Sequence, residues 1–234
     1  LKYLSVSTSA NFNEVWTQNI IKFNDFDLET NTAKQETINK IGAFRQYNFS
    51  ASMGTTIYGT VNFAEDKKIQ SIRHTLRPSI SYSNRPSFER YYDTYIIDAE
   101  GNTAEYTRYQ NSLFGTPGKA LSNSMSIGLS NNLEAKVRDD KDSTSNELKK
   151  IVLLNNFNIA TGHNFAADSL RWTPIRMSTG FSLLKDKMSV NVGATFDPYA
   201  LNENNIKINK YNILNGGGLL RLTSANVNMS YAIT

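Results

Sequence analysis

The most constraining feature of this sequence is an unbroken alternation of apolar and small polar residues from Tyr47 to Phe63. Because successive side chains of a β-strand point to opposite faces, this period predicts one strand with an apolar face and a polar face. A strand of a globular protein runs about 5–6 residues, whereas a tilted strand needs about 9–11 residues to cross a bilayer. The segment is therefore long enough to be a transmembrane β-strand.

The two parities of this segment predict two different surroundings. We expect the small polar parity to face the lumen of a barrel and the apolar parity to face lipid. The predicted lumen-facing residues are Asn48, Ser50, Ser52, Thr56, Thr60 and Asn62. The predicted lipid-facing residues are Phe49, Met53, Ile57, Val61 and Phe63.

The same alternation recurs in other segments of the chain, each followed by polar or glycine-containing sequence. These segments are 4–13, 72–82, 124–137, 156–165, 175–183, 188–196 and 225–233. Repeated period-2 segments predict an all-β fold, an antiparallel transmembrane β-barrel. We expect about eight to ten strands in residues 1–234.

The connections between these segments differ in length. Long polar loops are predicted near 24–39, 85–120, 138–150 and 198–215, whereas Lys185 and Asp186 form a very short turn. Short turns on one side and long loops on the other are typical of outer-membrane barrels. The longest connection is predicted to contain a further hairpin, with arms Tyr91–Ile97 and Thr103–Leu113.

Two positions break the regular pattern. Pro78 lies inside a predicted strand and cannot donate a backbone hydrogen bond, so we expect a bulge or weak pairing there. Leu220 and Leu222 are out of phase with Val227, which predicts a β-bulge near Ser224.

The composition narrows the possible classes without choosing among them. Hydrophobic residues make up 39% of the chain, the formal net charge is +4, and there is no cysteine. These values exclude a disulfide framework and give no basis for nucleic-acid binding. A soluble β-sandwich or secreted β-rich module remains an alternative. Against it, the polar parity holds mainly Ser, Asn, Thr and Gly, whereas the exposed face of a soluble sheet is rich in Lys, Glu and Asp.

No motif in the chain predicts an enzyme, a cofactor or a metal site. The segment Leu113–Ala120 ends in Gly-Lys-Ala and lacks the first glycine and the final Ser or Thr of a phosphate-binding loop. His74 and His163 share parity with apolar residues, so we expect them to point outward near a rim. The acidic segment 138–143 lacks the glycine of a calcium loop and is predicted to be solvated.

Three arginines fall on the polar parity of predicted strands: Arg73, Arg77 and Arg176. The planar guanidinium group suits phosphate and carboxylate. We therefore predict that these arginines face the lumen and contact anionic groups there, unless they balance nearby carboxylates of the barrel itself.

The segment Ser71–Phe88, with the sequence SIRHTLRPSISYSNRPSF, resembles the Bacteroidota branch of the LptD family. Three further stretches carry the same resemblance: Ser50–Phe63, Asn164–Ser169 and Arg221–Tyr231. The resemblance implies a large outer-membrane barrel of a Gram-negative bacterium, which inserts lipopolysaccharide into the outer leaflet. Because eight to ten strands are too few for such a barrel, the resemblance implies that residues 1–234 form a single segment of its wall. It also implies a lipoprotein plug in the lumen, periplasmic bridge components as partners, and no cofactor. Arg73, Arg77 and Arg176 would then contact either anionic glycolipid or acidic groups of the plug.

Two functions from different classes follow for the chain. The first is a non-enzymatic conduit for lipopolysaccharide, and the second is a structural or interaction module of another surface translocon or adhesin. An enzyme is a weak third alternative. The opening Leu1-Lys2-Tyr3-Leu4 is already strand-like, and we expect the chain to be an internal piece of a longer protein.

Overall fold

A computed structural model describes residues 3–64, 67–138, 148–183 and 187–232, and these residues form an all-β fold. Two short 3-10 helices, Glu89–Tyr91 and Asn212–Asn215, accompany the strands. The strands are β1 Leu4–Thr17, β2 Ile20–Asp27, β3 Thr32–Ile38, β4 Gly42–Thr55, β5 Ile57–Asn62, β6 Ile69–Arg85, β7 Tyr92–Ile96, β8 Thr103–Thr107, β9 Ser122–Arg138, β10 Leu148–Asn164, β11 Ile175–Leu183, β12 Met188–Asp197, β13 Tyr199–Leu201, β14 Lys207–Tyr211 and β15 Arg221–Tyr231.

One large sheet of nine strands dominates the described part of the chain. Its strand order is β1-β4-β6-β9-β10-β11-β12-β15, and β5 also pairs with β6. The pairs β5–β6, β9–β10, β10–β11, β11–β12 and β12–β15 are antiparallel. The predicted all-β antiparallel fold is therefore confirmed, and the nine strands of the large sheet match the eight to ten expected. The other six described strands form three separate hairpins.

The ribbon predicted from Tyr47 to Phe63 is divided at Thr56 into the end of β4 and the whole of β5. In the β5–β6 register Ile57 lies opposite Leu76. Continuing that register by two residues brings Thr55 opposite Pro78, whose nitrogen carries no hydrogen to donate. The interruption therefore coincides with the proline at which weak pairing was predicted.

Bulges interrupt two other strands. Thr195 pairs with Ser224 and Phe196 with Leu222, so Thr223 is the extra residue. This confirms the bulge predicted near Ser224. In β10 the register shifts between Val152 and Leu154 and again between Leu154 and Phe157, and Asn156 has a φ of 50°. These two bulges shift the alternation of β10. The sequence pattern therefore did not predict the first half of this strand.

Three of the connections that were predicted to be long loops contain β-hairpins. Strands β2 and β3 form a hairpin that occupies most of 24–39. The hairpin predicted within 85–120 is present as β7 and β8, although its second arm ends at Thr107. Strands β13 and β14 form another hairpin within 198–215.

The predicted loop 138–150 is shortened at both ends by strand pairing, because Arg138 pairs with Leu148. Leu183 pairs with Met188 across the predicted short turn. That long loops and short turns lie on opposite sides of the sheet stays a prediction. Lys185, Asp186 and most of the predicted 138–150 loop lie outside the described residues.

The chain divides into two compact units. Unit 1 comprises Leu1–Ser7, Ala51–Tyr82 and Ser124–Thr234, and unit 2 comprises Thr8–Ser50 and Ser83–Asn123.

Unit 2 contains a small aromatic core. Val15, Phe44 and Tyr109 are buried together, and the ring centroids of Phe44 and Tyr109 are 5.0 Å apart. The Tyr109 hydroxyl donates a hydrogen bond of 2.7 Å to the Ala43 carbonyl oxygen, which satisfies its polar end. Nearby, Phe23 stacks on Tyr95 with centroids 3.9 Å apart. These contacts fold the β2–β3 and β7–β8 hairpins together.

Unit 1 has a different interior, centred on a charged side chain. Asp197 is only 2% exposed and forms ion pairs with Lys207 and Arg221, and its Oδ1 accepts a hydrogen bond from the Tyr199 backbone nitrogen. The Tyr199 hydroxyl in turn accepts a hydrogen bond of 2.9 Å from the Trp172 backbone nitrogen. These contacts hold the β13–β14 hairpin against the end of β12.

Within the described residues, no helix is both long enough and apolar enough to cross a membrane.

Candidate functional site

The two parities of the sequence become two faces of the sheet in unit 1. Val61 lies opposite Ile72 and Ile57 opposite Leu76, so apolar side chains meet across β5 and β6. Met177 lies opposite Ala194 in the same way across β11 and β12. The other face carries the small polar residues and most of the strand cations, and we call it the polar face.

A cavity of about 520 Å³ opens on the polar face around Arg73. The Arg73 guanidinium carbon lies 4.6 Å from the centre of the Tyr58 ring, which is a cation–π contact. Lys136 and Lys150 also line this cavity and lie opposite each other in the β9–β10 register. The Lys150 Nζ is 2.8 Å from the Glu134 Oε1. We call this the Arg73 cavity.

Arg77 lies in a separate groove, also of about 520 Å³, which Tyr3, Thr56, Ser79 and Ser130 help to line. The predicted arginines Arg73 and Arg77 thus share the parity of one strand but line two different cavities.

Arg176, the third predicted arginine, lies on a row of small residues that crosses the sheet. Its neighbours in the register are Ala160 on β10 and Thr195 on β12. Ala160 is opposite Gly128 on β9, and a Cβ added to Gly128 would lie 2.8 Å from the Ser79 Oγ on β6. Small side chains along this row leave room for the long Arg176 side chain.

Asparagine and glycine form cross-strand pairs farther along the polar face. Gly180 lies opposite Asn191, and Gly193 lies opposite Asn226. A Cβ on Gly180 would be 2.8 Å from the Asn191 Oδ1, and one on Gly193 would be 2.5 Å from the Asn226 Oδ1. Each glycine therefore makes room for the amide across from it. These residues line a groove of about 380 Å³.

The residues predicted to face a lumen have several different surroundings. Ser52 hydrogen-bonds to Ser7 at 2.6 Å, and Ser50 to Ser9 at 2.7 Å. Thr60 and Asn62 line the Arg73 cavity, and Thr56 lines the groove of Arg77. Asn48 is exposed. The residues predicted to face lipid are all substantially exposed: Phe49, Met53, Ile57, Val61 and Phe63.

Both histidines lie on the parity of the apolar residues, as the sequence indicated. The His74 Nε2 is 3.1 Å from the Asn131 Oδ1. The His163 ring packs against Phe165 and Trp172, with centroid distances of 4.6 and 4.9 Å. Their predicted outward orientation near a rim stays a prediction.

The sequence pattern did not indicate that Lys136 and Lys150 line the same cavity as Arg73. Lys150 and the start of β10 were assigned to a loop, and Lys136 was not singled out although it lies on the polar parity of β9. The informative signal was that Lys136 and Lys150 flank one connection, because a hairpin brings such residues opposite each other. The possible calcium segment 139–143 lies outside the described residues. Among the described residues there is no group of three or more His, Cys, Asp or Glu that could hold a metal ion.

Comparison with known proteins identifies the family. No curated protein and no solved structure matches the chain. The family model described as LptD protein matches residues 1–199. This match covers most of the chain. It includes the whole of three of the four stretches that carry the resemblance. The chain therefore belongs to the LptD family of outer-membrane β-barrel proteins, a family of lipopolysaccharide transport proteins and not an enzyme family.

Proposed function

We propose that this chain forms part of the wall of a barrel that inserts lipopolysaccharide into the outer leaflet of the outer membrane. In this proposal the polar face lines the passage and the apolar face contacts lipid. The observation that supports it most directly is the chemistry of the polar face in unit 1. There, Arg73, Arg77, Arg176, Lys136 and Lys150 stand among small neutral side chains, with few carboxylates beside them.

The chemistry of this face suits an anionic glycolipid. Lipopolysaccharide carries phosphate and carboxylate groups, which guanidinium and ammonium groups attract. Its sugars carry hydroxyl groups, for which the amides of Asn191 and Asn226 supply both donors and acceptors. Contacts spread over separate cavities favour passage over tight retention, because no single site holds the whole molecule. Such guidance needs no cofactor.

The proposal extends to partners of the complete protein. A lipoprotein plug would occupy the lumen, and periplasmic bridge components would deliver lipopolysaccharide to the barrel. The arginines of the polar face could then contact acidic groups of the plug as well as the glycolipid.

Depletion of the complete protein tests the transport function. We expect lipopolysaccharide to accumulate in the periplasm and to decrease at the cell surface, as measured by surface labelling and by membrane fractionation. Loss of a secreted or adhesive activity while lipopolysaccharide display stays normal would contradict the proposal and support the second function, a module of another surface translocon or adhesin.

Substitution of the two β6 arginines tests the role of the polar face. We expect R73Q/R77Q to lower surface display of lipopolysaccharide, because two cations are removed from the proposed passage. Arg108→Gln is a matched control, since Arg108 is an arginine of unit 2 paired with Asp93 at 2.9 Å. Normal display in R73Q/R77Q, at normal barrel abundance, would show that these arginines only balance charges within the barrel.

A further inference from the structure

The Arg73 cavity has more positive than negative groups around it. Arg73, Lys136 and Lys150 line it together with one carboxylate, that of Glu134. Glu134 pairs with Lys150, and neither Arg73 nor Lys136 has a carboxylate partner in the described part of the chain. Two cations at one cavity therefore remain available to an anion.

Backbone pairing fixes the positions of these cations. Lys136 and Lys150 are opposite each other in the β9–β10 register, and the residue between Glu134 and Lys136, Ala135, is only 1% exposed. The Tyr58 ring supports the Arg73 guanidinium through the cation–π contact at 4.6 Å. A group held by its neighbours loses less side-chain entropy when a ligand binds. The cavity is thus partly organised before any ligand arrives.

Apolar side chains flank the cations on the same face. Residues 148, 150 and 152 precede the first bulge of β10 and alternate regularly, so Leu148 and Val152 lie on either side of Lys150 on the polar face. They are 45% and 50% exposed. Leu148 and Val152 flank the paired Lys150 and lie diagonally across from the unpaired Lys136. This arrangement suits a ligand that has an anionic group and an apolar chain. A peptide whose side chains are only acidic would leave these aliphatic groups unused.

We propose that the Arg73 cavity binds the phosphate group of a phosphorylated lipid, with Leu148 and Val152 contacting its apolar part. Arg73 and Lys136 donate hydrogen bonds to the phosphate oxygens, and Lys150 joins them while it stays paired with Glu134. The proposal deepens the transport function and rests on it for the biological source of the lipid. The binding chemistry itself can be measured separately.

The test is a binding titration with the complete protein purified in detergent. The probes are lipid A with its two phosphates, the same lipid without phosphates, phosphatidylglycerol, inorganic phosphate and an acidic peptide. We expect K136Q/K150Q to weaken binding of phosphorylated lipid about tenfold or more, because it removes two charge-assisted hydrogen bonds. The matched control is K149Q, since Lys149 lies opposite Val137 on the other face of the same strand. L148S/V152S should weaken lipid binding and leave phosphate binding unchanged.

Each outcome bears on the proposal. Equal effects of K136Q/K150Q and K149Q, in variants that unfold at the wild-type temperature, would overturn it. Equal binding of lipid A with and without phosphates would do the same. If an acidic peptide binds as tightly as the lipid, and L148S/V152S does not weaken its binding, the ligand of the cavity is a protein and the proposal is overturned. If inorganic phosphate binds as tightly as lipid A, the apolar chain contributes nothing to binding, and the proposed contact with Leu148 and Val152 is wrong. Binding of lipid A or of phosphatidylglycerol supports the site. The lipid that binds more tightly identifies the class of lipid that the cavity binds.

Failure of this site and failure of the transport function are distinguishable. If depletion of the complete protein stalls lipopolysaccharide while K136Q/K150Q binds lipid normally, only the site is wrong. If depletion leaves lipopolysaccharide display normal while the titration shows phosphate-dependent lipid binding, the site stands and the transport function is wrong.

Discussion

Unit 1 and unit 2 differ in charge and in interior, although β1, β4, β6 and β9 contribute residues to both. Unit 1 holds 17 of the 25 Lys and Arg residues and 11 of the 21 Asp and Glu residues, which leaves 8 and 10 for unit 2. Unit 2 buries the rings of Phe44 and Tyr109, whereas Arg73, Lys136 and Lys150 of unit 1 line an open cavity on the polar face. The comparison shows that unit 2 has an apolar core and that unit 1 carries the excess of positive charge.

The largest expected effect is on the aromatic core of unit 2. Phe44→Ala should lower the free energy of unfolding by about 3–5 kcal/mol, because it removes a ring that is 1% exposed and leaves a cavity. The measurement is thermal unfolding in detergent, followed by the β-sheet circular dichroism signal. Phe12→Ala is the control, since Phe12 belongs to the same unit and is 64% exposed. Equal losses in the two variants would show that unit 2 has no stabilising core.

A smaller effect is expected on the polar face of unit 1. Gly193→Ala should destabilise the protein by about 0.5–1.5 kcal/mol, because the Asn226 side chain, whose Oδ1 would lie 2.5 Å from the new Cβ, must leave its preferred position. Gly59→Ala is the control, as no atom lies within 4 Å of a Cβ at that position. Adding Asn226→Ala to Gly193→Ala should recover most of the loss. If the double variant is no more stable than the single one, the Gly–Asn pair is not the cause.

The smallest effect concerns the β7–β8 turn of unit 2 and depends on pH. The Asn102 side chain donates a hydrogen bond of 2.7 Å to Asp98 and lowers the pKa of that carboxyl below its ordinary value of 3.8. A lowered pKa means that this bond contributes stability above that value and that the contribution is lost as the pH falls through the lowered pKa. Asp98→Ala should therefore lower the unfolding temperature slightly at pH 7, and this difference should shrink as the pH falls through the lowered pKa. A difference that persists at low pH would point to a role of Asp98 other than its charge.

The sequence was most informative where alternation is regular. Strand β11 was predicted with the bounds that the structure has, and β12 differs by one residue, because neither contains a bulge. The start of β10 was missed because its two bulges shift the parity and because Leu148 and Val152 place apolar groups on the polar face. The β2–β3 hairpin was missed because its strands are short and rich in charged residues, so they show little hydrophobic periodicity.

The candidate site, like the strands, could be predicted from the sequence only in part. Arg73 could be found from parity alone, since parity determines the face of a strand. Its grouping with Lys136 and Lys150 depends on the pairing of three strands, which one strand's sequence does not specify. Arg73 and Arg77 share a parity and still line two different cavities. Residues of one strand can share a face and still belong to different cavities when neighbouring strands separate them.

Pro78 has a consequence for the curvature of the wall. Where β4 ends and β5 begins, the ladder to β6 lacks one backbone donor, and the two segments of the ribbon need not keep a common direction. Large sheets close into barrels by bending at such interruptions of their pairing. A proline opposite a strand break is thus a point at which a long ribbon can change direction without the loss of a hydrogen bond from that nitrogen.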